Sequence, residues 1–145
     1  MPRVKIELPE SFQFSTKYTV TVSDLNYGNH VGNDTILAIA HEARLQYINY
    51  LGYKDELSIE APIGIVVSDA AVMYKSESFY NDQLNIRVAT DDFNKYGFDL
   101  YYEITQADTD KEVARVKTGI VCLNYETRKL AEIPETFKRA LKRKS

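Results

Sequence analysis

Ser23-Asp24-Leu25-Asn26-Tyr27-Gly28-Asn29-His30-Val31-Gly32-Asn33-Asp34 is a glycine-broken run of polar and charged residues set between two regular patterns. Upstream, Tyr18, Val20 and Val22 alternate with Thr19, Thr21 and Ser23, the period of two expected of a half-buried strand. Downstream, Ile36, Ile39, Ala40, Ala43, Tyr47 and Leu51 recur at helical spacing, and Gly52 stands where that helix should stop. A strand thus delivers a polar loop to a helix start, an arrangement that presents reactive groups on a rigid support. Asn33 is a candidate cap, and the Asp34 carboxylate in the first turn complements the helix dipole. The apolar stripe is broad, so the helix is expected to be covered over much of its circumference, with His41, Glu42, Gln46 and Asn49 as polar exceptions.

Working outward, Val4, Ile6 and Leu8 alternate in a short N-terminal arm over residues 1–11, and the first strand is expected over residues 12–22. Residues 53–62 are a polar connection. From Ile63 to Ser76 both faces are apolar, Ile65, Val67, Ala71 and Met73 against Val66, Ala70, Val72 and Tyr74, which predicts a strand buried on both sides. Asn81-Asp82 is a turn signal, after which Leu84, Ile86 and Val88 alternate inward. A hairpin near residues 94–97 leads to Phe98, Leu100, Tyr102 and Ile104, and residues 108–111 turn into a last long strand over 113–125. Pro134 opens a short basic C-terminal helix over residues 134–145. One early helix followed by strands without crossover helices implies an α+β domain, a curved antiparallel sheet wrapped around one long central helix. Residues 1–145 are read as a single domain, long enough to bury a core of its own.

Composition narrows the function. A net charge of −3 makes neither nucleic acid nor an anionic membrane an expected main partner. No stretch approaches the roughly 20 apolar residues of a membrane helix, and the first ten residues lack the apolar segment of a signal peptide, so the cytoplasm is the expected compartment. The single cysteine, Cys122, lies in Ile120-Val121-Cys122-Leu123 and reads as a core residue. Two histidines eleven residues apart, His30 and His41, make no metal-ligand motif, and no metal is expected. Eleven tyrosines and six phenylalanines without tryptophan suit an interface or a ligand slot, since tyrosine buries its ring while keeping its hydroxyl at a wet edge.

The stretch Asp24 to Asn33, followed by His41-Glu42-Ala43-Arg44 on the helix, resembles the hotdog-fold thioesterases of the 4-hydroxybenzoyl-CoA thioesterase type. In that family a strand ends in Asp-x-Asp, His-Val-Asn-Asn follows, and the helix carries Glu-Ala-Arg. Tyr74 and Asn81-Asp82-Gln83-Leu84 are similar to the family's Tyr and Gly-Asp-x-Leu, and Asn124 to Pro134 to its closing strand and exit. The resemblance covers about Phe12 to Pro134. It implies the hotdog fold, hydrolysis of an acyl-CoA or acyl-carrier-protein thioester, no cofactor beyond the coenzyme A carried by the substrate, and a homodimer or homotetramer with sites at the subunit interface.

The departures are equally specific. The family's catalytic Asp falls on Asn26, the first Asn of its Asn-Asn pair on Gly32, the small residue after that pair on Asp34, and its turn Gly on Asn81. An amide is no general base at neutral pH. The carboxylate candidates are therefore Asp24, Asp34 and Glu42, of which Glu42, if partly buried, would gain a raised pKa suited to base work. His30 can orient a water or bind the thioester carbonyl, with Asn26 as a positioning group. Gly28, Asn29, Val31, Asn33, Tyr74 and Lys75 are the candidate substrate contacts, a backbone N–H near Gly28 or at the helix start serving the oxyanion. Each has a plainer reading: Asn26, Gly28 and Asn29 as turn formers, Asp34 as a helix-start residue, Glu42 and Arg44 as ion-pair partners, and the basic tail as a solvated helix end. Two functions follow, thioester hydrolysis or non-catalytic binding of an acyl thioester by a chain that has lost the Asp at position 26. A hotdog dehydratase is disfavoured, because Asn26 lacks the acid. Tyr47, Tyr50, Tyr53, Tyr101 and Tyr102 are the expected aromatic contacts between subunits.

Overall fold

The computed structural model describes residues 3–143. Strand β1 spans Phe14–Thr19, helix α1 Asn33–Tyr50, β2 Ile63–Tyr74, β3 Gln83–Asp91, β4 Gly97–Gln106, β5 Glu112–Asn124, β6 Lys129–Leu130 and α2 Glu135–Lys142. The strands form one sheet in the order β1-β3-β4-β5-β2, with β6 on β5. Every pairing of named strands is antiparallel, as the absence of crossover helices predicts. Sheet and helix make the hotdog arrangement.

The core is the meeting of two periodicities. Ile36, Ile39, Ala40, Ala43, Tyr47 and Ile48 bring one stripe of α1 onto Leu84, Ile86 and Val88 of β3, Leu100, Tyr102 and Ile104 of β4, and Val116, Ile120 and Cys122 of β5. Each large side chain fully buried there contributes roughly 1.5–3 kcal/mol. Phe137 and Leu141 fix α2 to the same core, so the basic tail is the outer side of an anchored helix. Gly52, at φ +100°, stops the chain just after α1, as its position predicts.

Four expectations are corrected. The first strand is shorter than residues 12–22, because the chain leaves it for a 3₁₀ turn at Val22–Asp24. The N-cap of α1 is Gly32, in extended conformation, so Asn33 is its first residue rather than its cap. Helix α1 is covered less broadly than expected: beyond the polar exceptions His41, Glu42 and Asn49, Asp34, Leu37, Ala38 and Tyr50 are also exposed. Strand β2 is not buried on both faces, because it is an edge strand paired only with β5, and its Val66 and Val67 are 39% and 38% exposed. The N-terminal arm forms no strand in its described part, although Ile6 is buried and its carbonyl accepts from Arg115 Nη1 at 2.9 Å. Met1, Pro2, Lys144 and Ser145, the ends of the expected arm and basic helix, lie outside the described residues.

Tyr47 and Tyr102 are fully buried inside the chain, so neither can touch a partner subunit. Tyr50 remains exposed.

Candidate active site

The polar loop between β1 and α1 folds back on itself through short backbone bonds. Asn26 N donates to the His30 carbonyl at 2.9 Å, and Asn29 N to the Asn26 carbonyl at 3.1 Å. Asn29 adopts φ +61°, and the Asn26 side-chain oxygen accepts from Gly28 N at 2.9 Å. The turn-forming reading of Asn26 and Asn29 is therefore seen in the geometry. It does not exhaust Asn26: with its oxygen occupied, the carboxamide presents its NH₂ as donor.

The loop docks onto the segment after β2. Val31 N donates to the Ser78 carbonyl at 2.8 Å, and His30 bridges to Phe79. The Tyr74 hydroxyl donates to the Asn33 carbonyl at 2.9 Å, tying the end of β2 to the start of α1. Between loop, helix start and strand end lies a cleft of about 280 Å³, lined by His30, Val31, Asn33, Ile36, Tyr74, Lys75, Ser76, Glu77, Ser78 and Val113. Five predicted site residues, His30, Val31, Asn33, Tyr74 and Lys75, thus share one cleft. Lys75 Nζ stands 3.8 Å from Glu112 Oε1, a loose pair that leaves the ammonium available to an anion.

His30 is oriented by its own backbone. Its Nδ1 lies 3.0 Å from the Val31 carbonyl, which can only accept, so Nδ1 carries the proton and a neutral ring offers Nε2 as an acceptor. A Cβ added to Gly28 would lie 3.2 Å from His30 Nε2 and 3.4 Å from Asn26 Oδ1. Glycine at 28 lets the imidazole and the carboxamide converge on the same small space. An accepting Nε2 favours holding a water over donating to a thioester carbonyl.

Of the remaining predicted residues, Asn26, Gly28 and Asn29 belong to the loop beside His30 without lining the cleft, and Asp24 and Glu42 are held elsewhere. Asp24 is buried, and its carboxylate accepts from the Tyr18 hydroxyl at 2.8 Å and from Thr21 N at 2.8 Å and Oγ1 at 3.0 Å. Burial and the Asp24 carboxylate push the Tyr18 hydroxyl up to about 12, so it stays a donor to Asp24 across the physiological range. Glu42 is exposed, not partly buried, and takes a bond from Gln46 Nε2 at 2.8 Å. Arg44 forms the expected ion pair, its Nε 2.6 Å from Glu56 Oε2.

The sequence reading missed Ser76, Glu77 and Ser78. The Ser76 hydroxyl donates to the Glu112 carbonyl at 2.8 Å, whereas Ser78, 1% exposed, has no hydrogen-bond partner for its hydroxyl among the described residues. No local pattern marks Ser78; only its docking against Val31 brings it into the cleft. No group of three or more His, Cys, Asp or Glu among the described residues could hold a metal.

Fold and cleft define a hotdog domain with a polar site at the head of its central helix. The chain belongs to the thioesterase-like superfamily, whose family model matches residues 20–141. Among solved structures, a 1,4-dihydroxy-2-naphthoyl-CoA thioesterase from Synechocystis is 22% identical over 88% of this chain and 94% of its own, with a TM-score of 0.81. A probable thioesterase from Escherichia coli is 23% identical over 88% of this chain and 95% of its own, at 0.74. A Staphylococcus aureus protein in complex with CoA is 17% identical over 92% of this chain and 85% of its own, at 0.80. A comparison with curated proteins finds no match.

Proposed function

We propose that the chain hydrolyses an acyl-CoA thioester to the free acid and coenzyme A. The observation that carries this reading is the cleft at the start of α1, where the oriented His30, the head of a long helix and the unpartnered Ser78 hydroxyl meet. Thioester hydrolysis needs a held water, donors for the developing oxyanion and a slot for the acyl group. His30 Nε2 serves the water. We assign the backbone N–H groups at the start of α1 and the NH₂ of Asn26 as donors to the oxyanion. The Ser78 hydroxyl is matched to a polar atom of the substrate. Exposed Tyr27, Phe79 and Tyr80 supply apolar surface at the same end of the molecule, and Lys75 at the rim suits a phosphate of coenzyme A.

A homodimer fits the surface. The exposed Val66 and Val67 of an unpaired edge strand, together with Leu37 and Tyr50 of α1, are what a second copy would cover. A tetramer would be two such pairs. We assign the cytoplasm as its compartment, with which the free, buried Cys122 is compatible.

The test is thiol release from short-, medium-, long-chain and aromatic acyl-CoAs, with light scattering for the assembly. Turnover of at least one substrate by a dimeric or larger protein is expected. Binding of acyl-CoA without thiol release would instead establish the second reading, a non-catalytic binder, which Asn26 at the family's Asp position favours. A monomeric mass at micromolar concentration would remove the dimer.

A further inference from the structure

The family pattern puts a carboxylate at position 26, and this chain has an amide there. The sequence offers three carboxylates to replace it, and the cleft itself adds a fourth, the exposed Glu77 on the segment after β2. Asp24 is fully engaged by Tyr18 and Thr21. Glu42 lies two turns further along α1 and is bound by Gln46, whereas Asp34 directly follows the cleft-lining Asn33. Asp34 stands exposed in the first turn, with no comparable partner among the described residues.

The position of Asp34 is tied to a second departure from the family. A Cβ added to Gly32 would stand 2.9 Å from Asp34 Oδ1 and 3.7 Å from Asn26 Cβ. The carboxylate of Asp34 therefore occupies the space that any larger residue at 32 would claim, and that space adjoins the Asn26 side chain. Gly32, at φ −69° and ψ 152°, needs no glycine for its backbone. Its missing side chain serves the room Asp34 uses. The three departures at 26, 32 and 34 are one arrangement, a carboxylate moved from the loop to the helix start while an amide fills its former place.

We propose that Asp34 is the catalytic base of this site, with Asn26 now a donor beside it. This rests on the hydrolytic reading. Asp34 takes a proton from the water held by His30, and the hydroxide adds to the thioester carbonyl carbon. The tetrahedral oxyanion collapses with cleavage of the C–S bond. The thiolate leaves and recovers the proton from Asp34, giving free acid and coenzyme A thiol.

The experiment uses the full chain and its best acyl-CoA substrate from the panel. In Asp34→Asn, kcat is expected to fall roughly 10²–10⁴-fold, the range for loss of a general base, with KM and calorimetric affinity for coenzyme A within about twofold. The acidic limb of the kcat–pH profile should vanish with it. Gly32→Ala keeps the carboxylate but pushes it aside, so kcat should drop at least tenfold while thermal stability holds. Asn26→Asp in the Asp34→Asn background should recover at least tenfold, which a merely structural role would not allow. Full kcat with an intact acidic limb in Asp34→Asn would overturn the assignment and leave hydrolysis standing. Loss of that limb in Glu42→Gln or in Glu77→Gln instead would move the base to that residue and overturn the assignment. A wild-type protein that binds acyl-CoA without releasing thiol would bring down the hydrolytic reading and the base together.

Discussion

The head of α1 and its later half treat polar groups in opposite ways. In its fourth turn, Arg44 lies buried, donating to Glu56 at 2.6 Å and to the Tyr102 hydroxyl at 3.1 Å, while Tyr102 reaches Thr118 at 2.8 Å and Glu56 also meets His41 at 2.8 Å. Burial works against the Arg44 charge, yet Tyr102 and Glu56 more than offset it and hold the guanidinium above the usual arginine range. At the head of the helix, the buried Ser78 hydroxyl has no partner among the described residues, His30 offers an accepting Nε2 and Asp34 stands exposed. A mutually satisfied network holds a fold together. Unmatched hydrogen-bonding capacity at the mouth of a cleft is what a substrate can complete.

Breaking the satisfied end should have the largest effect. Arg44→Ala leaves Glu56 beside an apolar core and should destabilise the protein by about 3–5 kcal/mol, read by urea denaturation, with activity lost only in proportion to the unfolded fraction. At the other end, His30→Ala should lower kcat/KM by about 10²-fold or more while the midpoint of thermal unfolding moves by no more than about 2 °C. Ser78→Ala sharpens the contrast further. A buried hydroxyl without a partner costs about 1–3 kcal/mol, so its removal should stabilise the free protein by ~1 kcal/mol and raise the KM for acyl-CoA roughly fivefold. A destabilised Ser78→Ala would mean that the hydroxyl has a structural partner.

The smallest effect concerns Cys122, whose thiol burial pushes up from 9.0 to about 11. Below pH ~9 the thiol is neutral whether the chain is folded or not, and its contribution to stability is fully present. Between about pH 9 and 11 only the unfolded chain ionises, so stability should decline with rising pH across that window. Native protein at pH 8 should resist a thiol reagent that labels it quickly in denaturant.

Most of the fold was legible because its signals are local. The alternation of Phe98, Leu100, Tyr102 and Ile104 and the helical spacing of Ile36, Ile39, Ala40 and Ala43 each state a period that the structure keeps. The exposure of β2 was not legible. An edge strand awaiting cover and a central strand already covered carry the same apolar residues on both faces, and only the sheet order tells them apart. The site divided in the same way. His30, Val31 and Asn33 are close in sequence, Tyr74 joins them through the resemblance, and Lys75 through its charge beside Tyr74. Ser78 became visible only through its backbone contact with Val31. Glu42 needs partial burial on the helix to gain a raised pKa, and it lies on the exposed side instead.

Tyr74 ends the open edge of the sheet and also grips the first residue of α1. Whatever seats along β2 therefore bears on the mouth of the cleft through the Tyr74 phenol. If that occupant is a twin chain, dilution past its dissociation constant should erode turnover per mole well before circular dichroism registers any loss of structure, and Tyr74→Phe should make the enzyme fail at higher concentration.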